Sequence, residues 1–142
     1  MSEPARAAIA AGASELAQLI ALADRLAADA RTRDRGFVVT HGEPHAANVI
    51  RSGDRQLLVD WDTVALGPPE RDLWMVDARD TYERASGRPL DDAALDFFRL
   101  TWDLKDIAEY LNVLRGPHRE NEDTLRHHRA LTEIGAVWKQ WC

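Results

Sequence analysis

The sequence predicts an α+β fold, mostly helical, with a small β-hairpin region, and three observations point that way. Apolar, β-branched runs at Phe37-Val38-Val39, Val49-Ile50 and Leu57-Leu58-Val59 alternate with short polar loops, as strands do. Before them, Leu16, Leu19, Ile20, Ala23, Leu26, Ala27 and Ala30 recur at helical spacing, opposite Glu15, Gln18, Arg25 and Asp29. After them, long segments are separated by Gly87-Arg88-Pro89 and Gly116-Pro117, which break helices.

Taken in order, residues 2 to about 33 read as helix, in one or two pieces. Ser2 suits an N-cap with Glu3 and Pro4 in a first turn, and Gly12-Ala13-Ser14 is a natural break, with Ser14 able to cap the second piece. Arg31-Thr-Arg-Asp-Arg35-Gly36 is a charged turn into a strand at 37–40. A loop follows over 41–48, then strands at 49–51 and 56–60 joined by Ser52-Gly53-Asp54, a good hairpin turn. Residues 61–69 read as loop, and Pro69-Glu70 opens a helix running to Val76. Further helices are expected at about 79–86, 91–114 and 121–141. The third of these four starts on Asp91-Asp92 and turns Leu95, Phe98, Trp102 and Ile107 inward.

Length and composition exclude several function classes. At 142 residues the chain is long enough for one domain with its own core. A content of 45% hydrophobic and 30% charged residues is ordinary for a globular domain. The net charge of −6 argues against a nucleic-acid surface, which would be basic, and suits cationic small molecules. The one cysteine, Cys142, leaves no internal disulfide, which fits a reducing, cytoplasmic setting. The first residues do not read as a secretory leader, and no apolar run reaches the roughly 18 residues a membrane helix needs.

The chemistry-bearing residues gather between 41 and 72. Glu43, Asn48, Asp60 and Asp62 offer oxygen atoms at strand ends, a set suited to a hard cation such as Mg²⁺. Asp60 closes an apolar strand, where packing gives no reason for a carboxylate, whereas Asn48 and Glu43 also fit a loop whose side chains cap turns. Trp61 reads as a packing residue. His41 and His45 are four apart, like the pair on a zinc-protease helix. Gly42 and Pro44 between them forbid that helix, and Glu43 is one residue out of place for the motif. Asp103, Asp106 and Glu109 share a helix with Tyr110 and fit a solvated face. His118, His127 and His128 sit in a charged segment and read as surface residues.

These residues resemble the catalytic core of the aminoglycoside phosphotransferase family, small-molecule relatives of the protein kinases. His41-Gly42-Glu43, four residues, Asn48, and then Val59-Asp60-Trp61-Asp62 follow that family's pattern in order and spacing. Pro68-Pro69-Glu70-Arg71-Asp72-Leu73-Trp74 and the stretch from Trp102 to Tyr110 are also similar, so the resemblance spans nearly the whole chain. It implies transfer of the γ-phosphate of ATP (or GTP) to a hydroxyl of a small, aminoglycoside-like substrate. In that reading Glu43 deprotonates or orients the hydroxyl, and Asn48, Asp60 and Asp62 hold Mg²⁺. His41, His45 and Asp72 support the loop, and Asp103, Asp106 and Glu109 border the acceptor pocket.

Two departures qualify what the resemblance implies. Glu43 stands where most members carry aspartate, which moves the carboxylate one methylene further out. The glycine-rich cover and strand lysine of the nucleotide-binding lobe have no counterpart. The two lysines, Lys105 and Lys139, both follow the motif in helical segments. The expectation is therefore a single domain over residues 1–142 equivalent to the C-terminal lobe of the kinase-like fold, without the N-terminal lobe. Such a chain would expose a partly apolar lobe interface, open to a missing lobe or to self-association. The alternative is a truncated, non-catalytic remnant or an interaction module.

Overall fold

The protein is described by a computed structural model, which covers residues 3–31, 36–117, 119–138 and 141. The expected cap at Ser2, most of the charged turn before Gly36, and His118, Lys139 and Cys142 lie outside the described residues.

Among the described residues, six α-helices and four short strands follow one another as α1 (Glu3–Ala11), α2 (Ala13–Arg31), β1 (Val38–Thr40), β2 (Val49–Ser52), β3 (Arg55–Leu58), β4 (Ala65–Gly67), α3 (Glu70–Leu73), α4 (Arg79–Ser86), α5 (Asp92–Arg115) and α6 (Glu122–Trp138). The chain divides into two compact units, Leu26–Arg99 and Met1–Arg25 with Leu100–Cys142.

The unit of residues 26–99 is built on two antiparallel ribbons. In the first, β2 and β3 pair Val49 with Leu58 through Ser52 with Arg55, leaving Gly53 and Asp54 as a two-residue turn. Gly53 has φ 60°, the left-handed backbone such a turn requires. In the second ribbon, β1 pairs with β4, Val38 opposite Gly67 and Thr40 opposite Ala65. Residues 61–69, expected as loop, contain the strand β4 at Ala65–Gly67. A three-residue strand of Ala, Leu and Gly has little β propensity of its own and exists because β1 needs a partner.

The helix expected from Glu70 to Val76 stops at Leu73, because the Met75 N–H bonds the Asp72 carbonyl in a tighter three-residue turn. Asp91 caps α5, its Oδ1 accepting the Ala93 N–H at 2.8 Å. The Asp91 N–H in turn donates to Oε1 of Glu70 at 2.9 Å, and Glu70 is 1% exposed.

In the other unit α1 lies against α6, and Leu100, Ile107 and Leu114 of α5 are buried two turns apart along one face. That line of medium-sized side chains is the buried seam; Trp102, expected inside, is only half-buried. α6 starts on a reciprocal cap: Asn121 Oδ1 accepts the Thr124 N–H at 2.9 Å, and Thr124 Oγ1 accepts the Asn121 N–H at 3.0 Å. His127 and His128, expected at the surface, are half-buried, and the His127 ring stacks on Tyr110 at 4.9 Å.

The break between α1 and α2 falls at Gly12, whose carbonyl accepts the Leu16 N–H. Ser14 lies inside α2 and does not cap it. Along α2, Leu19 and Ala23 are buried, but Ile20 is 49% exposed. It sits at the margin of the apolar stripe, where a helix turns its flank to water.

Candidate functional site

The 41–48 loop is held from below by one carboxylate. Asp72, in the short helix α3, accepts the His41 N–H on Oδ2 and the Gly42 N–H on Oδ1, both at 2.7 Å. Charge-assisted bonds of this length are about twice as strong as neutral ones. His41 is 2% exposed. Its Nδ1 accepts the Glu43 N–H at 3.2 Å, so Nε2 carries the hydrogen, which it donates to the Val59 carbonyl at 2.8 Å. One ring thus ties the loop to the end of β3 and fixes its own tautomer. Trp61 meets this ring edge-on at 4.6 Å and anchors its Nε1–H on the Leu58 carbonyl.

Glu43 is pinned through its backbone at both ends. Its N–H goes to His41, and its carbonyl accepts Nδ2 of Asn48 at 2.9 Å. The bond commits the Asn48 amide nitrogen and leaves Oδ1 as the atom able to face a cation. The Asn48 carbonyl accepts the Val59 N–H at 2.9 Å, which extends the β2–β3 pairing by one step and sets Asn48 beside the chain leading into Asp60. Asp60 has φ 68° and ψ 61°, and among the described residues it is the one non-glycine with positive φ. Aspartate tolerates this region better than most residues, at a cost of about 1–2 kcal/mol. It opens the single turn Trp61–Thr63, makes no side-chain cap bond there, and is exposed, as is Asp62.

Glu43, Asn48, Asp60, Asp62, His41, His45 and Asp72 all fall within the unit of residues 26–99. His45 is half-buried at the entry to the turn Ala46–Asn48. Among the described residues no three His, Cys, Asp or Glu side chains gather closely enough to hold an ion. The oxygen set at issue is instead one amide, Asn48, with Asp60 and Asp62.

Three participants went unread in the sequence: Thr40, Thr63 and Arg71. Arg71 donates from Nη1 to Thr40 Oγ1 at 2.6 Å and from Nη2 to the Thr63 carbonyl at 2.8 Å. Thr63 Oγ1 donates to the His41 carbonyl at 2.7 Å, and Thr40 Oγ1 to the Ala65 carbonyl at 2.9 Å. In the sequence Thr40 and Thr63 only adjoin motif residues, and Arg71 stands within the family-like stretch Pro68–Trp74 without a role of its own. Gly42 belongs to the same packing: its φ is 98°, and a Cβ there would lie 2.4 Å from Nη2 of Arg71 and 2.6 Å from Oγ1 of Thr63.

Asp103, Asp106 and Glu109 lie on α5 in the other unit. Asp103 accepts the Trp141 indole N–H at 3.3 Å, and Asp106 the Tyr110 hydroxyl at 3.3 Å. Burial raises the Asp106 carboxyl above the ordinary aspartate value, and the negative neighbours Glu109 and Asp103 add to that, while the Tyr110 hydrogen bond opposes it. Glu109 is exposed, 3.9 Å from Lys105, and edges an open groove of about 490 Å³ along α5 that is also lined by Asn112 and Arg115.

Residues 2–110 match the model of the phosphotransferase enzyme family (APH), and the chain belongs to that family. Among individual relatives, it is 36% identical over 110 residues to protein StrN of Streptomyces griseus, a stretch covering 76% of this chain and 33% of that one. Its fold matches spectinomycin phosphotransferase APH(9)-Ia solved with ADP and spectinomycin, at a TM-score of 0.70 and 20% identity, over 98% of this chain and 50% of that one. The AMP complex of the same enzyme matches at 0.67 and 20% identity, over 94% of this chain and 46% of that one. The chain therefore spans about a third to a half of the length of these relatives, and its fold is that of the C-terminal lobe of the kinase-like phosphotransferases.

Two consequences can be measured. Gly42→Ala should cost about 3 kcal/mol in urea denaturation, combining a left-handed backbone penalty with a clash against Arg71 and Thr63. Asp106→Asn should melt higher than the wild type at pH 7 and show no such gain at pH 3. The raised carboxyl favours the folded state only while protonated, and that contribution is lost as pH climbs past the ordinary aspartate range.

Proposed function

We propose that this chain is the acceptor-side lobe of a Mg²⁺- and ATP-dependent (or GTP-dependent) phosphotransferase acting on a hydroxyl of a small, aminoglycoside-like molecule in the cytoplasm. The observation that carries the proposal is the hydrogen-bonded loop 41–48 set beside Asp60, joined to membership of the phosphotransferase enzyme family. The neighbouring fold was solved with ADP and with AMP, and in one case with spectinomycin, which supports a nucleotide donor and a small hydroxylated acceptor.

The roles follow from chemistry. Glu43, with its backbone fixed at both ends, takes the proton of the acceptor hydroxyl as that oxygen bonds to the phosphorus and the bond to the nucleoside diphosphate breaks. The extra methylene of glutamate lets the carboxylate reach further from a rigid base. Asn48 Oδ1 and the Asp60 and Asp62 carboxylates are the hard oxygen donors that Mg²⁺ selects. A left-handed aspartate without a cap bond is the kind of strained residue that clusters at functional sites. The ion, when held, neutralises charge on the phosphates. His41, His45 and Asp72 support the loop. Asp103, Asp106 and Glu109 offer negative charge to a cationic acceptor.

Several exposed apolar side chains in residues 26–99 support a surface made to be covered. Val39 and Leu66, opposite each other across β1 and β4, are 67% and 69% exposed, and Phe37 is 71% exposed. Such a patch promotes association, so we propose that a nucleotide-binding lobe supplied by another segment or chain, or failing that a second copy, covers it. On this reading the isolated chain is inactive or impaired. The rival reading, a non-catalytic remnant or interaction module, shares the surface but needs no working site.

Titration calorimetry with ATP separates the two readings. A half-site gives Mg²⁺-dependent binding that Asp60→Ala weakens at least about tenfold, in line with loss of a metal ligand's charge. Absence of binding to either protein would leave the interaction module as the function. Sedimentation at rising concentration reads the apolar face: self-association is expected, and a strict monomer throughout would remove the second copy as its cover.

A further inference from the structure

We propose that Arg71 is a positioning residue of the site: its guanidinium sets the spacing between the 41–48 loop and the 60–63 turn. The role of those two segments rests on the phosphotransferase reading above; the role of Arg71 rests on its own contacts. Asp72 holds the loop, and the β2–β3 register places Asp60, but neither reaches the far end of the turn that carries Asp62. Arg71 does. One arm of its fork binds Thr63, the residue next to Asp62, and the other binds Thr40, the residue before His41. Thr63 then closes the circuit by donating to the His41 carbonyl. Four residues from three segments thus meet in one charge-assisted network, and each bond is 2.8 Å or shorter.

Gly42 is the second, independent observation. A side chain there would occupy the place of the Arg71 fork, with the nearest guanidinium nitrogen 2.4 Å from a Cβ. Gly67 is close as well, its Cβ position 3.4 Å from Cδ of Arg71. Two glycines in two different segments therefore form the walls around one side chain. Lysine cannot replace it: a single ammonium on a flexible stem does not hold two acceptors at fixed separation, as a planar guanidinium does. Residues that orient metal ligands without touching the ion typically change metal affinity 10- to 100-fold when altered.

The test uses the whole chain with Mn²⁺ alone, read by electron paramagnetic resonance, and urea denaturation to establish the folded fraction. Arg71→Lys keeps the charge and loses the fork. Positioning predicts that Arg71→Lys and Arg71→Ala both weaken Mn²⁺ binding about tenfold or more in protein that is still folded. Were Arg71 only a charge, Arg71→Lys would bind as the wild type does and Arg71→Ala, having lost a positive neighbour, would bind more tightly. Were it only a fold-stabilising residue, affinity per folded molecule would not change. Either result overturns the proposal. If Arg71→Ala does not fold, Arg71→Lys decides. If the wild type binds no Mn²⁺, the metal reading fails on its own, and amide spectra decide about Arg71. Shifts at residues 41–43 and 61–63 together in Arg71→Lys support the spacing role, and unchanged resonances there contradict it.

Discussion

One carboxylate, Asp72, fixes the backbone of the loop that carries Glu43 and Asn48, two of the proposed site residues. Backbone N–H groups in a loop have no ladder to join and are costly to bury unpaired. Asp72 satisfies two consecutive ones, His41 and Gly42, from a helix thirty residues downstream. That capture turns the His41 ring toward the Val59 carbonyl and leaves its other nitrogen for Glu43. Glu43 then presents a carbonyl to Asn48, so four residues inherit their positions from a single side chain. The helix carrying Asp72 is only Glu70–Leu73, entered through Pro68 and Pro69, whose carbonyls accept the Arg71 and Asp72 N–H groups. The prolines stiffen the entry, and the buried Glu70 bonds the Asp91 N–H at the start of α5.

Much of this was legible in the sequence, and what was not has physical reasons. The loop motif, the hairpin and the long helices are encoded locally, in spacing, turn residues and breakers, and they appear where those signals put them. β4 was missed because it is short, apolar only at Leu66, and made a strand by its partner β1. The seam of α5 ran through Leu100, Ile107 and Leu114 because uniform aliphatics pack two turns apart. Larger residues such as Trp102 invite a different register. Arg71 was invisible for the opposite reason: an arginine in a polar helix opening is ordinary until two threonines and two glycines from other segments surround it.

Strain and satisfaction sit side by side in residues 26–99. Asp60 holds a left-handed backbone at the entrance of its turn, while the residues around it are tied by short bonds to Asp72, His41 and Arg71. A strained residue persists only where its surroundings over-determine it. Two polar groups of α5, Asp106 and Tyr110, behave differently. The two share a hydrogen bond, and burial pushes both above their ordinary titration ranges. A carboxylate held this way is a ready acceptor for a cationic group and a poor one for an anion.

The site depends on whether this chain holds its 41–48 loop without help. Hydrogen exchange at the His41 and Gly42 amides tests that most directly. With Asp72 in place both should exchange slowly. In Asp72→Ala both should exchange at least about tenfold faster, while the amides of the Val49–Leu58 hairpin keep their wild-type rates. Fast exchange in the wild type, or equal rates in the two proteins, would contradict a loop organised by Asp72.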